Sequence, residues 1–147
     1  MRCAVILFGL LLFSTIRLEA KTLTAICSEP KGWGVFYVNG EPELHEDKVS
    51  GATTTYSWDM SKDEATIVMQ DSKSAGGKPS TYKAVVMRVT DNQIAFLMTY
   101  EIGIELHSLF LNLKTVMMSP QKDWTSRGSG LEASGKILQA NCAISYE

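Results

Sequence analysis

Two cysteines near the ends of the chain constrain its fold more than any other feature. From Lys136 to Tyr146, Leu138, Ala140, Cys142, Ile144 and Tyr146 alternate with Ile137, Gln139, Asn141, Ala143 and Ser145. That period of two marks a half-buried β-strand. At the other end, Leu23, Ala25 and Cys27 alternate with Thr22 and Thr24, so a second cysteine lies on the apolar face of a strand. Pairing Cys27 with Cys142 sets the first and last strands side by side, and everything between must leave and return. Two separate buried thiols are the alternative.

The compartment favours the pair. A basic start at Arg2, the apolar run Ala4 to Phe13 and a small residue at Ala20 read as a cleaved secretory signal over residues 1–20. The apolar run is shorter than the roughly 20 residues that span a bilayer. Residues 21–147 then form a single domain in a periplasmic or secreted protein. Cys3 leaves with the signal, and an even count of two cysteines in an oxidising compartment reads as a disulfide. Of 14 basic and 16 acidic side chains, Arg2, Arg17 and Glu19 also leave, so the mature chain holds 12 and 15. This mildly acidic balance shows no basic face for nucleic acid.

Between the cysteines the periodicity is again two. Gly32 to Val38 reads as a second strand, with a turn at Asn39-Gly40. Glu41 to Gly51 is polar, carries Pro42 and reads as a surface loop. Thr53 to Trp58 and Ala65 to Met69 make a hairpin. Asp71 to Ser80 is a loop tip rich in Ser, Gly, Lys and Pro. Tyr82 to Val89 and Ile94 to Ile102 form the clearest strand pair. Ile104 to Leu113 and Thr115 to Met118 form another, with the dense apolar run Ile102 to Leu113 open to an amphipathic helix as the alternative. Ser119 to Gly135 reads as the longest irregular segment. The whole implies an all-β domain, an antiparallel up-and-down barrel or half-barrel of about eight strands whose first and last members are bridged. A β-sandwich is the alternative. An outer-membrane barrel is disfavoured by Lys83, Arg88, Glu101, Glu105 and Asn141 within the strands.

Motifs for chemistry are sparse. Glu43, His45, Glu46 and Asp47 cluster on a polar segment better read as solvated than as a cation site, and no spaced metal-ligand or cofactor motif is present. Gly76-Gly77-Lys78-Pro79-Ser80 lacks the spacing of a phosphate loop, and no serine sits in a nucleophile elbow. Glu105 and His107, two apart on a strand, share a face. They form an acid–base pair on one reading and a buried, hydrogen-bonded histidine on the other. Of the strand aromatics, Tyr56, Trp58 and Tyr100, with His107, are the candidates to line a ligand pocket at one barrel mouth. Core filling is the competing account of the same side chains.

The order of pieces is itself informative: a leader, Cys27, Tyr37-Val38-Asn39-Gly40, Gln93-Ile94-Ala95-Phe96-Leu97, Ser108-Leu109-Phe110-Leu111, a Gly/Ser-rich loop and Cys142. It resembles a group of small exported bacterial proteins. The resemblance implies export and a disulfide-linked β domain, and carries over no catalytic residue. The expected function is a non-enzymatic binding module for a small apolar or amphipathic ligand. The alternative is an exported hydrolase inhibitor or envelope interaction protein working through Glu41 to Gly51, Asp71 to Ser80 and Ser119 to Gly135. An enzyme built on Glu105 and His107 is the third reading.

Overall fold

A computed structural model of the chain describes residues 21–72, 76–128 and 130–147. The leader read over residues 1–20 lies outside them, as do residues 73–75 of the loop tip. Nine strands follow in order: β1 (Thr22–Val38), β2 (Glu41–Lys48), β3 (Thr53–Asp59), β4 (Glu64–Gln70), β5 (Pro79–Val89), β6 (Gln93–Tyr100), β7 (Gly103–Phe110), β8 (Thr115–Asp123) and β9 (Leu131–Tyr146). Every pairing is antiparallel between neighbours in the order β1-β3-β4-β5-β6-β7-β8-β9, and β9 returns to β1. Eight strands therefore close into a barrel, and β2 lies outside it as a ninth. Closure removes the two edges an open sandwich would expose, and the sandwich alternative falls.

Cys27 and Cys142 oppose each other in the β1–β9 register and are bonded, with Cα atoms 4.0 Å apart and a sequence separation of 115. The seam of the barrel is thus held covalently. In the chain-entropy account a loop of that length contributes about 5 kcal/mol by restricting the unfolded chain.

The first two strands expected from the sequence are one. The ladder of β1 shifts register between Ser28 and Lys31, and Glu29 adopts a positive φ of 52°. Pro30, lacking an N–H, tolerates this bulge, so the strand bends without ending. At the bend β1 changes partner: Thr22–Ser28 pairs with β3, and Lys31–Val38 pairs with β2. The segment expected as a surface loop, Glu41 to Gly51, is mostly the strand β2. Its side chains are almost all exposed; it is held mainly by backbone pairing with β1, which is why no apolar pattern announced it. Ser119 to Gly135 is likewise mostly strand, since β8 runs to Asp123 and β9 starts at Leu131, leaving a short connection with one 3-10 turn at Thr125–Arg127. Ile102 to Leu113 is the strand β7 and a turn, and no α-helix occurs among the described residues.

The upper halves of β1 and β9, with β2 and the end of β8, form a wall that rises past the barrel proper. There the backbones approach so closely that a Cβ on Gly32 would lie 1.9 Å from the Ile137 carbonyl oxygen. Below, the interior is filled. Leu23, Tyr56, Ile67, Ile94, Phe96, Met98, Leu109 and Val116 are all buried in one cluster, and Tyr56 stacks on Phe96 at 5.3 Å between ring centroids. On the outside of the barrel, polar Thr24, Ser28, Thr55, Ser57, Lys83, Asn141 and Ser145 alternate with patches of exposed apolar residues that include Ile26, Val85, Met87, Ile104, Leu106 and Met117. No helix of the described residues is long and apolar enough to cross a membrane.

Candidate functional site

Alternation along β3 and β7 points Tyr56, Glu105 and His107 inward, and Tyr100 ends β6 beside them. The structure brings these four together. Tyr56 Oη lies 2.6 Å from His107 Nδ1, and Tyr100 donates its phenolic proton to Glu105 Oε2. Burial depresses His107 to about 3, so its ring is neutral near pH 7. Burial first, then the nearby Glu105 carboxylate, pushes the Tyr56 phenol well up, and it keeps its proton. Burial and the hydrogen bond to Glu105 raise Tyr100 likewise. With Tyr56 donating to Nδ1, the imidazole proton sits on Nε2, on the side of Glu105 Oε2 at 3.9 Å. That is beyond hydrogen-bond range, and Nε2 has no partner among the described residues. Two phenols and a neutral imidazole thus surround one carboxylate.

Trp58, the fourth ligand candidate, does not join them. It pairs with Leu23 at the start of β1, and its indole N–H donates to the Lys62 carbonyl at 2.7 Å. It plugs the far end of the barrel under the β3–β4 turn. Tyr56 and His107 are fully buried, so they support a site from beneath rather than touch what occupies it.

Of Tyr56, Tyr100, Glu105 and His107, Glu105 is the one that lines a pocket. Its residue is 5 % exposed, and it floors a pocket of about 130 Å³ at the mouth beneath the raised wall. Phe36, Trp124, Pro120 and Leu138 give the pocket apolar sides, and Lys122, Lys136 and Asp47 stand at it. Lys136 Nζ meets Asp47 Oδ2 at 2.6 Å and lies over the Phe36 ring. Lys122 Nζ lies 5.5 Å from the Tyr100 ring centroid and 5.9 Å from that of Trp124, and makes no ion pair among the described residues. Trp124 is fixed by its indole N–H on Ser134 Oγ at 2.9 Å.

Sequence reasoning found Glu105 only as half of an acid–base pair, met Asp47 only in the acidic cluster with Glu43, His45 and Glu46, and missed Phe36, Lys122, Trp124 and Lys136 as pocket residues. The period-2 series Met118, Pro120, Lys122, Trp124 was the available signal; Pro120 masked it. On β2 the pair of His45 Nε2 with Glu43 Oε2, 2.9 Å apart, is exposed. No group of three or more His, Cys, Asp or Glu is placed to hold a metal among the described residues. Two of the three loops assigned to an inhibitor surface are largely strand.

The fold and site define a closed, disulfide-seamed antiparallel barrel with a packed interior and a polar mouth. No protein-family model matches the chain, and no curated protein matches it.

Proposed function

We propose that this is an exported, non-enzymatic binding module that holds a small amphipathic molecule by its polar head at the barrel mouth. One observation carries the reading: a carboxylate that is 95 % buried opens onto a pocket with aromatic and aliphatic sides. Burying a charge costs several kcal/mol unless donors satisfy it. Tyr100 supplies one donor to Oε2, and no described residue donates to Oε1, which is left for water or a ligand. The filled barrel interior directs a ligand to the mouth rather than the lumen. At about 130 Å³ the pocket is below the roughly 300–1,000 Å³ of sites that engulf drug-sized ligands, so it grips a head group. Binding fits the geometry better than catalysis because His107, the nearest acid–base partner of Glu105, is fully buried and does not line the pocket.

The test is native mass spectrometry of the oxidised protein purified from its own host. It is joined by thermal-shift titration with short-chain alcohols, amines, carboxylic acids and amino acids. A co-purified small molecule, or saturable stabilisation by at least one probe that is weakened in Glu105→Gln, is expected. An empty protein stabilised by none of them overturns the reading.

A further inference from the structure

The charges at the mouth narrow the ligand class. Four charged side chains line the pocket, and two of them, Lys136 and Asp47, neutralise each other at 2.6 Å. The remaining two are Glu105 on the floor and Lys122 at the rim. Neither has an ionic partner: the nearest basic group to Glu105 is the neutral His107 ring, and Lys122 makes no ion pair among the described residues. Tyr100 holds the two apart, since its hydroxyl bonds Glu105 while its ring face lies against the Lys122 ammonium. Two opposite charges without ionic partners among the described residues therefore line one small pocket.

We infer, resting on the mouth-pocket reading above, that the ligand is a small zwitterion with its ammonium on Glu105 and its carboxylate on Lys122. A cation alone meets Glu105 but is repelled by Lys122, and an anion alone meets the reverse. A molecule bearing both satisfies both, and charge-assisted hydrogen bonds of this type are the stronger kind. The volume, about four waters at roughly 30 Å³ each, matches an ammonium and a carboxylate separated by one or two carbons. Any side chain rests on Phe36 and Trp124 or projects outward.

Isothermal titration of the oxidised full-length mature protein at low salt, with glycine, β-alanine, propylamine and propionate, tests this. The expected result is that glycine or β-alanine binds at least tenfold tighter than propylamine and propionate. In Lys122→Met, the zwitterion's advantage over propylamine disappears; this rim variant leaves the core intact. In Glu105→Gln, the advantage over propionate disappears. Propylamine or propionate binding as tightly as the zwitterions, or an unchanged ranking in Lys122→Met, overturns the inference and leaves the mouth reading standing. No binding by any of the four, together with an empty protein from the host, overturns both.

Discussion

Acid should begin to destabilise this protein well above the carboxylate range, and His107 is the reason. Its ring is fully buried, held by Tyr56 at 2.6 Å on one side and facing Glu105 at 3.9 Å on the other. Burial lowers it from 6.5 to about 3. In the unfolded chain the same histidine takes its proton near pH 6.5. Between those values the unfolded state binds one proton more than the folded state, so stability falls as pH falls. Over that window each pH unit costs about 1.4 kcal/mol, on the order of 5 kcal/mol in all. That is a large share of the 5–15 kcal/mol typical of a domain. Asp59, lowered to about 2 chiefly by the Ser61 hydroxyl, and Asp123, lowered by Thr125, also cost stability in acid, but only below the usual carboxylate range near pH 4. The window from pH 6 to 4.5 therefore belongs largely to His107. Guanidinium unfolding followed by fluorescence across that window measures it, with His107→Gln as the comparison because the amide oxygen still accepts from Tyr56. The wild type should lose about 2 kcal/mol from pH 6 to 4.5, and the variant should lose little. A flat wild-type profile, or an equal slope in the variant, refutes the assignment of a buried neutral imidazole.

Other consequences are simpler to read. Replacing Cys27 and Cys142 together by alanine should cost about 5 kcal/mol by the loop-entropy estimate, seen as a lower denaturation midpoint that excess reductant reproduces in the wild type; a midpoint unmoved by reductant contradicts a closed seam. Gly32→Ala pushes a methyl to 1.9 Å from the Ile137 carbonyl and should destabilise by about 1–3 kcal/mol, as overpacking does. Hydrogen exchange should show the loss along the upper β1–β9 ladder; unchanged protection there contradicts the close approach.

The barrel itself was legible because the strands that close it carry an apolar face. Leu23, Ala25 and Cys27, and Leu138, Ala140 and Cys142, display a period of two, and burial of one face produces that pattern. The raised wall was not legible, and the causes are local. Glu29 and Pro30 look like a break, yet they make a bulge within a single strand. Strand β2 buries almost nothing, so hydrophobicity carries no trace of it. Pro120 interrupts the β8–β9 ladder, where pairing passes from Met118 to Gln121, without ending β8. The site inherited this division. Tyr56, Tyr100, Glu105 and His107 lie on the legible part and are found together. Asp47, Lys122 and Trp124 lie on the parts read as loop, Lys136 opens the last strand, and only the register of the wall brings them over Glu105. Trp58 shows the limit of alternation: it identifies a face of a strand but not which end of the barrel a residue reaches.

The central claim is that this barrel binds at its mouth, above Glu105, and not in its lumen or on its outer wall. Its three tryptophans report on those places separately. Trp124 flanks the pocket, Trp58 plugs the far end, and Trp33 lies exposed on the outer face. A titration of nitrogen-labelled protein with glycine and with the molecule recovered from its host, following the three indole N–H resonances, decides the matter. A saturable shift of Trp124 with Trp58 and Trp33 unmoved is the predicted result. Movement of Trp58 or Trp33 while Trp124 stays still contradicts it.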